Sequence, residues 1–312
     1  MHLPADAAQR SNLRACLAMT LGMAFFGAED LFLRNSALAL PPGQVLATMG
    51  AGGFLLFAAL ARQQGQPLVS RAFLHPTVMI RNLGEALASM AFILALSLLP
   101  LSLNAALLQA APLVLTAGAA LFLGERVGWR RWAAVGAGFG GVLLIVRPGT
   151  GDFQWPVLLT LFSVLMLTAR DLATRRAPAD IGTAQLTAWA YAAIVPAGLS
   201  LMLLMGQAPV RPQASSAVDL IGALLCGVFG YYAITAATRL GEASVIAPFR
   251  YTRLVFSLAL AIVVLNERPD ALTLAGAAIV IASGLYTFAR EARRRRGAAL
   301  RMDASPAPGQ PL

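Results

Sequence analysis

The sequence contains no lysine and few charged residues of any kind. All 24 basic residues are arginines, 14 residues are acidic, and charged residues make up only 12% of the 312 positions. A soluble domain carries about 25% charged residues, so this chain lacks the polar side chains that would cover a water-facing surface. Hydrophobic residues account for 58% of the chain. The composition therefore predicts an integral membrane protein.

Cysteine and histidine are equally scarce. Cys16 and Cys226 lie inside apolar blocks without CxxC spacing, which predicts neither a disulfide nor a metal site. His2 and His75 are the only histidines, so a histidine-based metal centre or catalytic dyad is not expected. No Walker A sequence is present, which argues against direct use of ATP. We therefore predict no cofactor, no metal and no enzymatic activity.

The apolar residues form blocks of roughly 20 residues separated by short polar breaks. That length matches an α-helix crossing about 30 Å of hydrocarbon at about 1.5 Å per residue. The blocks lie near residues 14–36, 44–62, 74–98, 101–123, 129–147, 155–172, 183–206, 217–239, 243–265 and 270–289. The first block resembles a signal peptide, but nine further blocks follow it, which favours an uncleaved first helix. We therefore predict an all-α integral membrane fold with ten transmembrane helices.

The arginines predict the orientation of these helices. With the N-terminus cytoplasmic, 17 of the 24 arginines lie in inner segments, 4 in outer segments and 3 within spans. The positive-inside rule then places both termini in the cytoplasm. The basic run Arg293 to Arg296 is expected to contact an anionic membrane surface rather than nucleic acid.

The chain repeats itself at an offset of 141 to 142 residues. Residues 30–34 and 171–175 share the pattern D-L-x-x-R, and Glu125-Arg126 matches Glu267-Arg268. Because the offset covers five spans, an odd number, the second copy is predicted to be inverted relative to the first. Inverted repeats are typical of secondary transporters, in which one half rocks against the other.

The repeats define the predicted domains. These are a cytoplasmic N-terminal tail over residues 1–13, a first five-helix repeat over 14–147, a second and inverted repeat over 155–289, and a basic, disordered cytoplasmic tail over 290–312.

Two five-span repeats, each with a G/N-E-R turn and a glycine-rich last span at 135–144, resemble the EamA branch of the drug/metabolite transporter superfamily. The resemblance covers residues 14 to 290. Within that branch, residues 81–85, 170–176 and 247–252 are similar to a subgroup that includes bacterial riboflavin transporters. The resemblance implies uptake of riboflavin or a similar planar compound across the bacterial inner membrane. Related sequences move amino acids, nucleotides, metallophores or cationic metabolites, so an exporter of polar metabolites is the alternative.

Polar and charged residues inside the spans are the candidate site residues. A charge at the centre of a membrane helix costs about 2.5–3.5 kcal/mol on insertion scales, so each needs a partner or a polar cavity. The predicted substrate-binding residues are Arg81, Asn82, Glu85, Gln109, Arg250, Tyr251 and Arg253. In the structural alternative, Arg81 and Glu85, four residues apart, neutralise one another. Likewise, Arg250 and Arg253 would pair with Glu85 or Asp171.

Three carboxylates are candidates for proton coupling, namely Glu29, Asp30 and Glu85. The alternative for the first two is an ion pair with Arg34 at the outer end of the first span. The run of small residues from Gly50 to Gly53, and the pair Gly136 and Gly140, predict close contacts between membrane helices.

A secondary transporter is thus the predicted function, with the lipid bilayer and a small molecule as partners and a homodimer as a candidate assembly. An intramembrane enzyme acting on lipids is the first competing hypothesis, but the clustered Asp or His ligands that it would need are absent from the sequence. A passive channel or sensor is the second.

Overall fold

The computed structural model describes residues 5–123, 128–178, 180–240 and 243–303, and these residues contain helices and no strand. The α-helices are α1 (Ala5–Ala39), α2 (Pro42–Gln63), α3 (Pro76–Leu98), α4 (Leu101–Leu108), α5 (Ala111–Phe122), α6 (Trp129–Val146), α7 (Val157–Arg175), α8 (Thr183–Leu204), α9 (Ala214–Leu240), α10 (Ala243–Ile246), α11 (Thr252–Val263) and α12 (Ala271–Asp303). Short 3-10 helices cover Arg71–Leu74 and Ala247–Tyr251. The predicted turn residues Glu125 and Arg126 lie outside the described part of the chain.

Proline and glycine set several helix boundaries. Pro42 and Pro76 occupy the first positions of α2 and α3, where the missing N–H of proline costs no hydrogen bond. Gly65, Gly149 and Gly206 have positive φ angles of 69°, 81° and 63° in the turns that follow α2, α6 and α8. The polar breaks of the sequence therefore coincide with the ends of helices.

Seven described helices are long and apolar enough to cross a membrane. They are Asn12–Ala39, Pro42–Gln63, Pro76–Leu98, Leu101–Phe122, Val157–Arg175, Thr183–Leu204 and Ala214–Ile234. Of the other three predicted spans, two are shorter apolar helices, at Trp132–Val146 and Ala271–Thr287, and the third is divided among α10, a 3-10 helix and α11. The chain is a multi-pass membrane protein.

Helix extends into both predicted tails. The first helix begins at Ala5, within the predicted tail of residues 1–13, and α12 continues through Asp303. The stretch 290–303 is therefore helical where the sequence predicted disorder. Alanine and arginine dominate it, and both are strong helix formers.

Most close helix contacts join the first half of the chain to the second. The strongest contacts are α1 with α9, α2 with α8, α3 with α7, and α6 with α12. A shift by the repeat offset of 141 to 142 residues places α1 on α7, α3 on α9 and α5 on α11. It therefore converts the α1–α9 contact into the α7–α3 contact, and the α1–α11 contact into the α7–α5 contact. The same shift converts the α2–α8 and α6–α12 contacts into themselves. The two halves are thus interlocked along their length.

The glycine contacts match one of the two predictions. A side chain on Gly50 would lie 2.9 Å from the backbone nitrogen of Val195, so α2 and α8 approach closely there, as predicted. At Gly136 and Gly140, an added methyl group would have nothing within 4 Å of it, and the predicted contact at that pair is wrong. The close contact between α6 and α12 uses Gly141, which lies against the backbone of α12. Helix rotation decides which glycines face inwards, and spacing alone does not specify it.

Glu267, from the second half of the chain, caps the N-terminus of α4 in the first half. Its carboxylate accepts the backbone N–H groups of Leu101 (2.7 Å) and Ser102 (2.9 Å) and the hydroxyl of Ser102 (2.6 Å). The guanidinium of Arg34 lies 3.6 Å from the same carboxylate and donates to the carbonyl of Leu99. An anionic group at a helix N-terminus satisfies otherwise unpaired N–H groups and interacts favourably with the helix dipole.

Asp270 plays a similar part directly before the apolar helix Ala271–Thr287. It accepts the N–H (2.9 Å) and hydroxyl (3.1 Å) of Thr273 and forms an ion pair with Arg147. Partial burial would raise the pKa of Asp270, but the hydrogen bonds from Thr273 and the charge of Arg147 outweigh it, so the pKa is lowered.

Candidate functional site

Eight charged residues lie near one another in the helix bundle, and all but Arg250 are at least partly buried. Four are acids and four are arginines, so the group is neutral as a whole. They come from α1, α3, α7 and the segment at residues 250–253, and they are Glu29, Asp30, Arg81, Glu85, Arg170, Asp171, Arg250 and Arg253. We call these residues the central cluster. Both halves of the chain contribute to it.

Asp30 and Arg253 form an ion pair between the halves. Asp30 is 1% exposed and accepts two hydrogen bonds from Arg253, at 3.0 Å from Nε and 2.6 Å from Nη2. The hydroxyl of Ser257 donates to the same carboxylate at 3.3 Å, and Arg253 also lies over the ring of Phe26. The two hydrogen bonds satisfy both charges. The alternative prediction, an ion pair between Asp30 and Arg34, is therefore not observed.

Glu85 pairs with Arg170 on α7. Nη1 of Arg170 lies 3.1 and 3.0 Å from the two carboxylate oxygens of Glu85. The same guanidinium contacts Asp171 at 2.8 Å through Nη2. A direct ion pair between Glu85 and Arg81, the structural alternative, is therefore not observed in the described structure, because the carboxylate turns to the neighbouring helix. Pairing of Glu85 with either Arg250 or Arg253 is also not observed in the described structure.

Arg81 is held by neutral groups. Its Nη1 donates to the carbonyl of Leu186 at 3.0 Å and to the side-chain oxygen of Asn82 at 3.3 Å. Nε of Arg81 and the amide nitrogen of Asn82 are buried and have no hydrogen-bond acceptor among the described residues. Buried donors without acceptors are costly, and a ligand that carries acceptor atoms would satisfy them.

Arg250 differs from its neighbour Arg253. Its side chain is exposed, and it has no hydrogen bond or ion pair within the described part of the chain, although Asp171 is close enough to attract it. The two arginines were predicted to act together because they share a helix face. In the structure the guanidinium of Arg253 is paired with Asp30, whereas that of Arg250 is exposed and has no described partner.

Glu29 is the unpaired carboxylate of the central cluster. It is half-buried, and no described residue forms a hydrogen bond or ion pair with it, so its predicted alternative pair with Arg34 is not observed. Oε1 lies 2.8 Å from the position that a side chain on Gly227 would occupy. At the repeat offset of 141 residues, Glu29 matches Arg170, each directly before the matching aspartate. Arg170 meets the carboxylate of Glu85 on α3, whereas Glu29 meets a glycine on α9.

Gln109 and Tyr251 join two interrupted helices. Gln109 lies at the break between α4 and α5, and Tyr251 ends the 3-10 helix before α11. The side-chain amide of Gln109 donates to the backbone carbonyl of Tyr251 at 3.2 Å, 142 residues along the chain. Repeat-related breaks therefore meet each other. Tyr251 is buried, and its ring lies against Gly284.

Aromatic residues beside the central cluster mainly pack against one another. Tyr191 stacks on Phe57 at 5.5 Å and covers Gly53, while Tyr231 meets Phe57 edge-on at 5.0 Å. Trp189 is buried and donates its indole N–H to a backbone carbonyl. No group of three or more metal-ligating side chains occurs among the residues that the structure describes.

Charged residues gathered inside a bundle of apolar helices are characteristic of membrane transport proteins, because such charges line substrate or ion pathways. The chain belongs to the EamA-like transporter family, which matches it twice, over residues 13–147 and 154–289.

Characterised relatives are transporters rather than enzymes. A riboflavin transporter of Rhizobium johnstonii is 31% identical over 68% of this chain and 69% of that protein. An S-adenosylmethionine uptake transporter of Rickettsia prowazekii is 28% identical over 71% of this chain and 74% of that protein. The pseudopaline exporter CntI of Pseudomonas aeruginosa is 24% identical over 82% of this chain and 89% of that protein.

A solved crystal structure shares the fold. It is 20% identical, superposes with a TM-score of 0.62, and the match covers 90% of this chain and 98% of that chain.

Proposed function

We propose that the protein is a secondary transporter that carries a small organic metabolite across the bacterial inner membrane by alternating access. Its ten spans form two inverted five-helix repeats, over 14–147 and 155–289, with both termini in the cytoplasm. The observation that carries the proposal is the central cluster, to which both halves contribute charged residues inside the bundle.

The helix contacts support an alternating-access mechanism. The same shift by five spans that relates the repeats also exchanges the α1–α9 and α3–α7 contacts. Asp30–Arg253 and Glu85–Arg170 are ion pairs that cross between the halves. Movement of helices of one half against those of the other would change the surroundings of the central cluster.

Riboflavin, or a similar planar compound, taken up into the cell is the first candidate substrate. Support comes from the riboflavin transporter that is 31% identical and from donors that suit a ligand rich in carbonyl and ring-nitrogen acceptors. These donors are the open guanidinium of Arg250 and the unsatisfied N–H groups of Arg81 and Asn82. Export of a polar metabolite is the second candidate, since one relative is a named exporter.

If transport is coupled to protons, Glu29 is the one of the three predicted carboxylates that would bind and release the proton. Asp30 and Glu85 are already paired with arginines, and changing their charge would break those pairs. Glu29 has no such pair in the described structure, and the charged groups within range of it are Asp30, Arg253 and Glu85. A carboxylate that lacks a fixed cation can gain and lose a proton without dismantling the bundle.

Uptake into proteoliposomes tests the transport function. Purified protein is reconstituted, and accumulation of labelled riboflavin is measured beside labelled amino acids, nucleotides and S-adenosylmethionine. We expect Arg250→Ala to abolish transport with an unchanged melting temperature, because Arg250 has no described structural partner. Arg211→Ala, which removes an exposed arginine in a loop, is the control. Normal transport by Arg250→Ala would contradict the assignment of the site.

Substitution of Glu29 tests the coupling separately. We expect Glu29→Gln to remain folded and to exchange labelled substrate across the membrane without responding to an imposed pH gradient. The wild-type protein should accumulate substrate when the gradient is applied and lose it when the gradient is collapsed. An unaltered response of Glu29→Gln to the gradient would remove Glu29 from the mechanism while leaving the transport function intact.

A further inference from the structure

A groove separate from the central cluster runs between α6 and α12. It has a volume of about 480 Å³ and is lined by side chains from residues 129–137 of α6 and 279–286 of α12. Its lining includes Trp129, Arg130, Ala133, Ala137, Ile279 and Tyr286. The arginine distribution predicts that this end of both helices lies at the cytoplasmic surface of the membrane.

The groove has an apolar floor and a polar, cationic end. Ala133 and Ala137 are exposed and lie one turn apart on α6, and Ile279 faces them from α12. At one end the guanidinium of Arg130 lies 5.4 Å from the ring centre of Trp129, which is itself 74% exposed. The part of the chain that the structure describes gives Arg130 no acidic partner.

Charge favours an anionic lipid as the occupant. Residues 129–146 and 271–287, which form the walls of the groove, contain no acidic residue. In a two-fold dimer packed through this face, Arg130 would approach its own copy, and like charges would repel. An anionic headgroup instead complements the cation, while an acyl chain fits the apolar floor.

We propose that the groove binds one anionic phospholipid of the cytoplasmic leaflet. The phosphate contacts Arg130, the rings of Trp129 and Tyr286 lie at the level of the headgroup, and one acyl chain lies along Ala133 and Ala137. Basic pockets between membrane helices on the cytoplasmic side are suited to anionic headgroups, and rings with a polar edge favour the membrane interface. This binding is independent of the transported substrate.

Quenching of Trp129 fluorescence by brominated lipids tests the proposal. The protein is reconstituted with brominated phosphatidylglycerol or brominated phosphatidylcholine, and the contribution of Trp129 is obtained by comparison with Trp129→Phe. We expect phosphatidylglycerol to be preferred about fivefold at this site, since one arginine near an anionic surface contributes about 1 kcal/mol. Arg130→Gln should remove the preference. Arg71→Gln, which removes another exposed arginine predicted to face the cytoplasm, should retain it.

Two further variants test whether the shape of the groove, and not only its charge, is needed for lipid binding, and whether a second copy of the protein occupies it. Ala137→Phe keeps Arg130 but fills the groove, and we expect it to reduce quenching of Trp129 by brominated acyl chains. An unchanged lipid preference in Arg130→Gln, or unchanged quenching of Trp129 in Ala137→Phe, would overturn the proposal. Efficient disulfide cross-linking of Ala137→Cys between copies in native membranes would also overturn it, because a second copy would then occupy the groove.

Discussion

Arg250 and Arg253 show how two arginines one helical turn apart acquire different roles. Their sequence context is the same, and both would be costly in hydrocarbon. Arg253 reaches α1 and forms a bidentate pair with Asp30, whereas Arg250 has no described partner and is exposed. At the scale of single residues, the partner on another helix decides whether a charge stabilises the fold or remains available to a ligand.

Removal of Arg253 should therefore destabilise the protein. Arg253→Gln leaves the Asp30 carboxylate buried without its cation, and we expect a loss of about 3 kcal/mol in the free energy of unfolding, measured by denaturant titration in detergent. Asp30→Asn combined with Arg253→Gln should lose less than the sum of the single changes. Strict additivity of the two changes would show that the pair is not coupled.

Short helices in this fold depend on capping from the other half of the chain. Helix α4 has only eight residues, and its first two N–H groups are bound by Glu267, which lies 165 to 166 residues away. Arg34 adds a cation from α1 to the same site. The interrupted helices also meet through Gln109 and Tyr251. At the scale of elements, irregular helix ends inside a membrane protein are acceptable because polar groups of other elements satisfy them.

Loss of the Glu267 cap should weaken the fold measurably. We expect Glu267→Ala to lower the free energy of unfolding by about 2 kcal/mol, because it leaves two backbone N–H groups without their acceptor and removes the anion beside Arg34. The control is Asp152→Asn, whose carboxylate is largely exposed in its pair with Arg147. That change should lie within about 0.5 kcal/mol of the wild type. Equal melting temperatures for the two variants would argue against the cap.

At the scale of the whole molecule, stability and mechanism depend on how the two halves interlock. The α2–α8 contact relates the second span of each half, and glycines allow their backbones to touch. A side chain on Gly198 would collide with the backbone of Gly43 and Ala47. This contact lies between the repeats, so the halves cannot move as independent bodies there without separating closely packed backbones.

Adding one methyl group should distinguish this interface from the lipid-facing surface. We expect Gly198→Ala to destabilise the protein by about 2 kcal/mol through overpacking. Gly140→Ala has open space and should be neutral or stabilising by up to about 1 kcal/mol, since alanine is the better helix former. Thermal unfolding in the same detergent provides the comparison. A Gly198→Ala variant as stable as Gly140→Ala would show that the α2–α8 contact can relax.

The sequence predicted the positions of helices well and the contacts of side chains poorly. Apolar blocks and their proline or glycine breaks correspond to helices because hydrophobic length and turn residues act locally. The same local information placed Asp30 and Arg253 within spans. It did not predict that they meet, because they are 223 residues apart and their contact depends on how α1 and α11 are rotated. The alternative in which Arg81 pairs with Glu85 is not observed for the same reason, since Glu85 pairs with Arg170 on α7.

Membrane insertion, the helical class and the internal duplication were thus determined by the amino-acid sequence alone. Hydrophobicity acts through the number of consecutive apolar residues, and a repeat is a property of residue order. Tertiary structure alone decided which charges are paired, and hence that Glu29 and Arg250 are left without fixed partners among the described residues while Asp30, Glu85 and Arg253 are held. Ion pairs between helices depend on the depth and rotation at which the helices pack, which a one-dimensional pattern does not contain.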